Sequence, residues 1–555
     1  MREFRIMNEL RLRLSQAIFG NSTPDPEELE LRYPPRALPE GAFVTRLAPS
    51  PTGFLHIGNL FGAFADFLAA ARSGGVFFLR LEDTDKKREV AQGAAVLLEG
   101  LRYAGILPDE GVTAPEEERG AYGPYTQSKR KWIYHAFARQ LLEAGLAYPC
   151  FCSAEALDEL RARQEQAGVN KGYYGKWARC RDLPLAEQAR RVEAGEPYTL
   201  RLRSPGRETA KITVRDLVRG KLELPENIMD AVLLKADGVP TYHFAHAVDD
   251  HLMRVTHVIR GDEWIASLPL HIQLFELLGF RPPHYAHTAL IMKEENGGRR
   301  KLSKRKDPEA RVSWFAEQGY PAQALREYLL TLLNSNFEDW RRANPAADLA
   351  EFPFELKKLS PSGALFDLVK LEDVSKTVIS RMTAEEACEQ ALVWAGEYDP
   401  ALAALMEADK PRARAMLGLD RGGRKPRKDI ARWNQLRETF GYFYEELYAP
   451  LPCEQPDSAA ILRAYQRIYD PADDKETWFA RLKSICEPLG YSPDVKAFKA
   501  APEAWKGHVG DVSGVIRWAV TSRANTPDLW AVMRVLGEET VRARLEAALA
   551  ACAVR

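Results

Sequence analysis

The sequence is poor in cysteine, and its cysteines are not arranged in pairs. Among its 555 residues are seven cysteines, an odd number. Four of them are scattered without the paired spacing of a disulfide framework, namely Cys388, Cys453, Cys486 and Cys552. The sequence therefore excludes a disulfide-stapled secreted scaffold, and we expect a protein of the reducing cytoplasm.

Long apolar stretches are also missing. The run at 329–333 is far shorter than the roughly 20 apolar residues that a membrane-spanning helix needs. Residues 1–20 carry Arg and Glu throughout and have no unbroken apolar segment, so we expect no secretory signal. With 46% hydrophobic and 28% charged residues, the composition is that of an ordinary globular protein without a membrane partner.

Net charge is nearly absent, since the formal value is −1. Such a chain has no general attraction for a nucleic acid, and any binding requires charge clustered on one surface. One basic cluster exists, formed by Lys410, Arg412, Arg414, Arg421, Arg424, Lys425, Arg427, Lys428 and Arg432. Taken alone, a solvated helix face or loop explains it equally well.

The first ordered pattern in the chain is a βαβ unit. Residues 1–40 are polar and end in prolines, which indicates an appended helix and linker. Residues 43–48 have the pattern of a short buried strand, 49–53 form a breaker loop, a helical apolar pattern starts at Leu60, and a second strand follows at 76–81. Strand, loop, helix and strand predict a parallel, doubly wound sheet of the α/β class.

The sheet pattern is interrupted and then resumes. A chain of this length forms several domains, because single cores rarely exceed roughly 250–300 residues. A helical stretch at 131–146 leads to a cysteine-bearing segment at 150–182. A buried strand near 255–260 and the helix after it restore the α/β pattern, so we expect a segment inserted between two halves of the sheet. After residue 320 the pattern is helical almost to the end.

The loop after the first strand carries a candidate phosphate site, Pro49-Ser50-Pro51-Thr52-Gly53-Phe54-Leu55-His56-Ile57-Gly58-Asn59. It places His56 and the backbone of Gly58 at the start of a helix, where free N–H groups and the helix dipole favour a triphosphate. A side chain at residue 58 would keep a nucleotide away from the backbone. Taken alone, a histidine with a purely structural role is the simpler interpretation.

A second candidate is a basic segment, Lys301-Leu302-Ser303-Lys304-Arg305, preceded by Gly297 and Gly298. Two lysines three residues apart on a mobile, glycine-flanked loop can close over phosphates and stabilise the charge on departing pyrophosphate. Taken alone, such a loop is more often a solvated surface.

Together the two segments resemble the "HIGH" and "KMSKS" signature motifs of class I aminoacyl-tRNA synthetases. The likeness narrows to the bacterial glutamyl-tRNA synthetases, because further segments occur in that family's order and spacing over about residues 43–540. These are RLAPSPTG (46–53), LRLEDTD (79–85), TYH (241–243), VDDH (248–251), THVIRG (256–261), SGALFD (362–367), KL (370–371), GDVS (510–513) and TPDL (526–529). Two positions depart from the family. Asn59 stands where the wider class often has His, and Leu60-Phe61-Gly62-Ala63 replaces Ala-Arg-Thr-Ala, so a polar contact must be lost or replaced.

The resemblance implies a two-step reaction that attaches L-glutamate to tRNA(Glu), with ATP and Mg²⁺. Glutamate first attacks the α-phosphate of ATP to form an adenylate and release pyrophosphate. A ribose hydroxyl at the 3′ end of the tRNA then takes the glutamyl group and releases AMP. The catalytic residues that the resemblance assigns are His56, Lys301 and Lys304. It places ATP against His56, Gly58, Trp264, Lys301, Ser303 and Lys304.

For glutamate, the resemblance implies cations for the side-chain carboxylate and an anion for the ammonium group. Arg46 and Arg260 match the family's arginines, and a guanidinium can grip a carboxylate with two hydrogen bonds. Glu82 matches the residue that meets the ammonium group, and the other predicted contacts are Ala48, Ser50, Tyr242 and His246. The alternative is a buried structural ion network of Arg46, Glu82 and Arg260, since buried charges need partners.

The cysteine-bearing segment permits a metal site. Cys150, Cys152 and Cys180 offer three thiols, and Asp182 or Tyr174 could supply a fourth ligand for zinc. Some bacterial glutamyl-tRNA synthetases carry zinc here. Three thiols and one oxygen are an imperfect set, and small buried thiols without a metal are the alternative.

The resemblance also implies how the monomeric chain is divided. The predicted parts are an N-terminal extension (1–41), the first half of a Rossmann-like catalytic domain (42–146), an α+β acceptor-stem-binding insertion (147–235), the second catalytic half (236–299), a stem-contact region (300–375) and an all-helical anticodon-binding domain (376–555). In the last of these, the predicted contacts to tRNA phosphates are Arg424, Lys425, Arg427 and Lys428.

Other functions are weighed against this one. Glutaminyl-tRNA synthetases are disfavoured by Ser-Pro-Thr-Gly at 50–53, where the Pro-Asn-Gly type is expected, and the short glutamyl-queuosine paralogue by the long helical C-terminal part. A small-molecule nucleotidylyltransferase would share the phosphate motif but has no evident use for that helical part. A catalytically silent tRNA-binding relative is disfavoured by His56, Lys301 and Lys304.

Overall fold

The computed structural model describes residues 2–51, 53–84, 92–303, 305–421 and 425–553. Of the predicted site residues, Lys304 and Arg424 lie outside these ranges. The chain divides into two compact units, the first comprising Met1–Trp314 and Leu329–Asp367, the second Phe315–Tyr328 and Leu368–Arg555. Among the described helices, none combines the length and the apolar character needed to cross a bilayer.

Up to residue 367, the chain contains both helices and strands. In chain order they are α1 (Arg2–Phe19), α2 (Pro26–Arg32), β1 (Val44–Leu47), α3 (Ile57–Ser73), β2 (Val76–Leu79), α4 (Gly93–Ala104), β3 (Glu110–Ala114), β4 (Glu117–Arg119), α5 (Lys131–Glu143), β5 (Ala147–Cys150), α6 (Ala154–Gln166), α7 (Leu185–Glu193), β6 (Thr199–Leu202), β7 (Lys211–Asp216), β8 (Gly220–Pro225), β9 (Val232–Leu234), α8 (Tyr242–Leu252), β10 (His257–Gly261), α9 (Leu268–Leu277), β11 (His284–Thr288), β12 (Ile291–Glu295), β13 (Gly298–Lys301), α10 (Val312–Gln318), α11 (Ala322–Leu333), α12 (Phe337–Ala343) and β14 (Ala364–Leu365).

Beyond residue 367 the chain is almost entirely helical. The elements are α13 (Leu368–Arg381), α14 (Ala384–Tyr398), α15 (Pro400–Ala408), α16 (Lys410–Gly418), α17 (Leu436–Phe440), α18 (Ser458–Ile468), α19 (Lys475–Ser484), β15 (Tyr491–Ser492), α20 (Val495–Ala500), β16 (Gly507–His508), α21 (Val509–Thr521), α22 (Leu529–Leu536) and α23 (Glu538–Ala553). The prediction of an all-helical part needs one correction, because β15 and β16 form a short parallel pair. Large apolar side chains such as Trp433, Phe440 and Trp478 form the core of this unit.

The predicted βαβ unit is confirmed. β1 pairs with β2 in parallel, from Val44 opposite Val76 to Leu47 opposite Leu79, and β2 pairs in parallel with β3. The connecting helix α3 ends at Gly74, whose φ of 67° is a left-handed conformation that glycine adopts without strain.

The second half of the sheet lies beside β1. β10 and β11 are parallel, and the N–H of Thr256, the residue before β10, donates to the carbonyl of Val44 at 3.1 Å. Thr256 and Val44 are 212 residues apart in the chain. Sheets of this doubly wound kind bind ligands beyond the carboxyl ends of their strands, where the strand order reverses. Here that place is the boundary between β1 and β10.

An α+β segment is inserted between the two halves, as predicted. It contains a three-stranded sheet of β5, β6 and β9 and a separate hairpin of β7 and β8. The hairpin is fully paired from Lys211 opposite Pro225 to Asp216 opposite Gly220. Asp216, the last residue of β7, therefore lies at the end of the ladder next to a tight turn.

The N-terminal extension is a helical strap over this first unit. α1 packs against α5 and α7, and α2 packs against α5. Leu14 on α1 and Leu29 on α2 are buried. Ion pairs join it to distant parts of the chain, with Arg13 on Glu193 and Glu30 on Arg254.

Candidate active site

A cavity of about 510 Å³ opens where β1 and β10 end. Most of the residues predicted for catalysis, ATP and glutamate line it, namely Arg46, Ala48, Ser50, His56, Gly58, Glu82, Tyr242, Arg260, Trp264 and Lys301. They come from both halves of the sheet and from the β12–β13 hairpin. The segment around residue 56 and the segment that begins at Lys301 therefore share one cleft.

His56 is the N-cap of α3. Its Nδ1 accepts a hydrogen bond from the backbone N–H of Gly58 at 2.9 Å. This bond leaves the proton on Nε2, so the imidazole can present an N–H to an anion. A Cβ at residue 58 would lie only 3.1 Å from Nδ1. Glycine at this position therefore makes room for the histidine cap, a reason additional to the close nucleotide approach predicted from sequence.

Lys301 is held by a hairpin rather than by a mobile loop. β12 and β13 are joined by Asn296 and Gly297, whose φ values of 53° and 76° are both positive, as a type I′ turn requires. Lys301 is the last residue of β13, and its Nζ lies 3.2 Å from a carboxylate oxygen of Glu263. Lys301 therefore lies in a paired strand rather than in the expected loop.

Asp307 organises the backbone after β13. Its carboxylate accepts hydrogen bonds from Arg300 at 2.6 Å and from the N–H of Ser303 at 2.7 Å. The bond from Arg300, together with that from Ser303, holds the pKa of Asp307 well below its usual range. Ser303 is not among the described residues that line the cavity, contrary to expectation. The chain then returns to the site, where the N–H of Val312 donates to the carbonyl of Leu55 at 3.0 Å.

A buried network of charges lies beneath the cavity. Arg80 donates to Asp250 at 2.6 Å and to Glu82 at 3.3 Å, and Arg46 donates to Asp250 at 3.2 Å. None of these four residues is more than 8% exposed. Arg46 and Glu82 thus have the structural partners that the alternative interpretation required, yet both also face the cavity.

Sequence patterns single out neither Arg80 nor Asp250 as a site residue. The sequence does contain a signal for Arg80. This arginine directly follows the apolar strand Val76–Leu79, and a charge that is buried there needs a buried partner. A third unpredicted residue is Asp66 on α3, which lines the cavity and whose Oδ1 is buried with no hydrogen-bond partner among the described residues. Burial raises the pKa of Asp66 well above its usual value.

The cavity lining includes both a carboxyl group and an apolar ring. Burial raises the pKa of Glu82 to about 7, although Arg80 and Arg46 oppose the shift. Phe61 lines the cavity where the family's arginine is expected. The polar contact of that arginine is therefore replaced by an apolar ring at this position.

Arg260 is fixed by two histidines. Its Nε donates to Nε2 of His287 at 3.0 Å, and its Nη1 donates to Nδ1 of His271 at 3.0 Å. The guanidinium also lies over the ring of Tyr285, 4.8 Å from the centroid. Its Nη2 is buried and has no hydrogen-bond partner among the described residues. Arg260 thus lines the cavity while one of its terminal nitrogens lacks a protein partner among the described residues.

Tyr242 and Trp264 form an aromatic wall, with ring centroids 4.5 Å apart. His246, one turn further along α8, lies behind this wall and does not line the cavity, contrary to expectation. Its Nε2 lies 3.1 Å from the hydroxyl of Tyr285 and its Nδ1 lies 2.9 Å from Asp250. Burial lowers the pKa of His246 to about 4. The residue supports the charge network rather than the cavity surface.

The inserted segment brings three thiols together. The Sγ atoms of Cys150, Cys152 and Cys180 all lie within 4.8 Å of one another. The hydroxyl of Tyr173 lies 3.4 Å from Sγ of Cys152 and accepts the N–H of Cys180 at 3.0 Å. Three sulfurs and one phenolic oxygen therefore converge on one point.

The two predicted oxygen ligands do not join this cluster. Asp182 is exposed, and its carboxylate accepts a hydrogen bond from Arg203 at 3.2 Å. The hydroxyl of Tyr174 donates to the carbonyl of Asn170 at 2.7 Å. Neighbouring side chains on an irregular segment point in different directions, and it is Tyr173 that faces the thiols.

The basic cluster of the second unit is largely paired with acids. Arg414 lies 2.6 Å from Glu385, Lys410 lies 2.8 Å from Glu407, and Arg412 lies 3.2 Å from Asp409. Of the predicted tRNA contacts, Arg427 binds Asp429 at 3.0 Å, Lys428 donates to Thr377 at 2.7 Å, and Lys425 is exposed. Composition alone therefore overstates the positive charge of this surface.

Comparison with known proteins gives the family. Residues 42–372 match the family described as "tRNA synthetases class I (E and Q), catalytic domain", and residues 495–549 match one described as "Anticodon binding domain". A glutamate–tRNA ligase of Clostridium perfringens (strain 13 / Type A) is 47% identical over 541 residues, which cover 96% of this chain and 99% of that protein. One of Sorangium cellulosum is 48% identical over 564 residues, covering 95% of this chain and 99% of that protein.

A solved structure has the same fold. The crystal structure of a glutamate tRNA ligase from Elizabethkingia meningosepticum, in complex with its amino acid, superposes with a TM-score of 0.73 at 28% identity. The match covers 92% of this chain and 99% of that one. From the full-length identity and the shared fold, the chain belongs to the class I tRNA synthetases and, within them, to the glutamate–tRNA ligases.

Proposed function

We propose that the cavity between β1 and β10 is the place where this enzyme binds glutamate and ATP. As a glutamate–tRNA ligase, the chain attaches L-glutamate to tRNA in two steps through a glutamyl-adenylate. Both steps need positioned reactants and stabilised charge rather than a covalent intermediate on the protein. A cleft that gathers buried arginines, a carboxylate, an aromatic wall and a helix N-terminus supplies these groups.

The observation that carries this proposal is the buried Nη2 of Arg260. A guanidinium nitrogen without a protein partner is costly to bury, and a substrate carboxylate would satisfy it. Arg46 lines the same cavity and offers the second cation, while Glu82 offers the anion for the ammonium group. Ala48, Ser50 and Tyr242 complete the proposed glutamate pocket.

The test is Arg260→Leu, which should raise the glutamate KM by about 100-fold or more while ATP affinity stays unchanged. Arg281→Leu, at an exposed arginine of the same unit, is the matched control. Equal glutamate KM values in the two variants would overturn the proposal. Pyrophosphate exchange with glutamate and with glutamine, with and without each tRNA, would then measure how strictly the pocket selects.

ATP, which such enzymes use with Mg²⁺, would lie with its phosphates at the start of α3. There, Nε2 of His56 and the ammonium of Lys301 would stabilise charge on the phosphates, and Gly58 leaves the backbone accessible. Trp264 would lie beside the adenine. Lys304 is the second lysine proposed for this role, although it lies outside the described residues.

The thiol cluster would hold a structural zinc ion. Cys150, Cys152, Cys180 and the hydroxyl of Tyr173 give four donors, the number that tetrahedral zinc needs, and three of the four are thiols, which zinc binds as thiolates. The metal would fix the loop that links β5 to the rest of the insertion.

The remaining parts of the chain would bind tRNA. The insertion is the candidate for the acceptor stem, and the second unit, which includes the matched anticodon-binding residues 495–549, is the candidate for the anticodon. Lys425, Arg427 and Lys428 are the proposed phosphate contacts near that region, and their contribution would weaken with salt.

A further inference from the structure

A hydrogen-bonded chain connects the inserted hairpin to Arg260. Asp216, at the end of β7, lies 2.7 Å from Nδ1 of His287 on β11, and Nε2 of the same ring accepts from Arg260 at 3.0 Å. Asp216 and His287 are 71 residues apart in the sequence. All three residues are buried, with exposures of 2%, 0% and 7% respectively.

Asp216 is itself held rigidly. Its carboxylate accepts the backbone N–H groups of Val218 at 2.9 Å, Arg219 at 2.7 Å and His287 at 3.1 Å. The side chain of Arg219 reaches across to Asp262 at 2.8 Å. The turn between β7 and β8 is thus fastened to β11 and to the residue that follows β10, the strand that carries Arg260.

The direction of each hydrogen bond follows from chemistry. A guanidinium can only donate, so Nε2 of His287 must be the acceptor and the proton of the ring must lie on Nδ1. The N–H at Nδ1 needs a hydrogen-bond acceptor, and the carboxylate of Asp216 is that acceptor. Asp216 therefore selects the tautomer of His287 that can hold Arg260.

We infer that Asp216 and His287 are positioning residues for glutamate recognition, because they fix the orientation in which Arg260 presents Nη2 to the substrate carboxylate. This inference rests on the proposed role of Arg260. It makes a residue of the inserted segment part of the amino-acid specificity of the catalytic cleft, although neither residue lines the cavity.

The charge states agree with the geometry. Burial lowers the pKa of His287 in spite of the hydrogen bond to Asp216, so the ring is neutral near pH 7. Burial alone would raise the pKa of Asp216, but the hydrogen bonds from His287, Arg219 and Val218 outweigh it and lower the pKa. A neutral imidazole between a carboxylate and a guanidinium is the arrangement that the chain of bonds requires.

Two substitutions of His287 separate positioning from packing. In His287→Gln the amide reaches the place of Nε2 and can still accept from Arg260, whereas in His287→Asn the amide reaches only the place of Nδ1 and meets Asp216 alone. We expect the glutamate KM to rise about 10- to 100-fold in His287→Asn and by less than about threefold in His287→Gln. The ATP KM should be unchanged in both variants, measured on the full chain by pyrophosphate exchange.

His284→Gln, at an exposed position on the same strand, is the control and should match the parent chain. Equal glutamate KM values for His287→Asn and His287→Gln, or a parallel rise of the ATP KM, would overturn the inference. Arg260→Leu tells this outcome apart from failure of the proposed function. If Arg260→Leu raises the glutamate KM while His287→Asn does not, the proposed role of Arg260 stands and only the positioning role of Asp216 and His287 is refuted.

Discussion

Nη1 of Arg80 and Oδ1 of Asp250 lie 2.6 Å apart in the protein interior, below the floor of the cavity. Asp250 also accepts a hydrogen bond from Arg46, and Arg80 also donates one to Glu82. One buried pair therefore sets the positions of the arginine and the carboxylate that are proposed to meet opposite ends of glutamate. Buried charges of this kind need their partners, since removal of one leaves the other uncompensated.

The first prediction concerns this pair. Asp250→Asn removes the charge that compensates Arg80 and Arg46, and it should lower the free energy of unfolding by about 3–5 kcal/mol. Urea unfolding of the full chain measures the loss. Asp158→Asn, which breaks an exposed pair with Arg161, is the control and should cost no more than about 1 kcal/mol. Similar losses of unfolding free energy in both variants would show that removing this buried charge costs no more than removing an exposed one.

The second prediction is a pH dependence. Because burial raises the pKa of Glu82 to about 7, this group is mostly neutral in the free enzyme below that pH and ionised above it. Only the ionised form attracts an ammonium group, so kcat/KM for glutamate should rise with pH and level off above about pH 7. Glu82→Gln should abolish this rise and leave a low, flat profile. A profile in Glu82→Gln that still rises near pH 7 would assign the titration to another group.

The third prediction separates two roles of His56. His56→Asn keeps a side chain that caps α3 well, but it cannot place an N–H where Nε2 lies. We expect adenylate formation to fall roughly 100-fold while the free energy of unfolding changes little. His56→Ala should show the same loss of rate and, in addition, a loss of about 1 kcal/mol in stability. An unchanged rate of adenylate formation in His56→Asn would show that the histidine only caps α3.

The fourth prediction concerns metal content. Gently purified protein should contain about one zinc per chain, and Cys180→Ser should lose it, because three donors hold the ion poorly. Cys453→Ser removes a thiol that instead contacts Ser458 at 3.1 Å and should leave the zinc content unchanged. Tyr173→Phe should weaken zinc retention against a chelator. Metal-free protein with intact thiols and normal stability would favour the alternative of small buried thiols.

The fifth prediction concerns tRNA binding. Lys425→Ala should weaken tRNA binding and reduce the slope of log K against log salt by about one. Arg427→Ala should reduce the slope by less, because Arg427 is already paired with Asp429 and donates to the carbonyl of Thr526 at 2.8 Å. Binding measured over a salt series by filter retention distinguishes the two. An unchanged slope in Lys425→Ala would remove this lysine from the phosphate contacts.

The parts of the fold that sequence predicts are those in which local pattern and tertiary structure agree. The strands β1 and β2 and the helix between them follow from apolar periodicity and from the glycines at 74 and 75, and the structure has them within a few residues. The hairpin that carries Lys301 is different. Glycines near a basic run indicate mobility, yet Asn296-Gly297 is also the strongest signal for a tight hairpin turn, and that interpretation is the right one.

The sequence predicts the site well where a role depends on residue type, and less well where it depends on the direction in which a side chain points. Arg46, Glu82 and Arg260 carry charges that a cleft at the strand ends can use, and they do meet there. His246 and Asp182 have suitable chemistry but point elsewhere, into the core and into solvent. Side-chain direction depends on packing contacts between segments far apart in the chain, which motif spacing does not contain.

The helical strap at the start of the chain has a consequence for biosynthesis. Glu30 binds Arg254, which is synthesised 224 residues later, and Arg13 binds Glu193, 180 residues later. At about 5–20 residues per second, the ribosome exposes the first helices for many seconds before their partners emerge. The two helices therefore leave the ribosome well before these partners, and their apolar residues Leu14 and Phe19 can be buried only after the partners emerge.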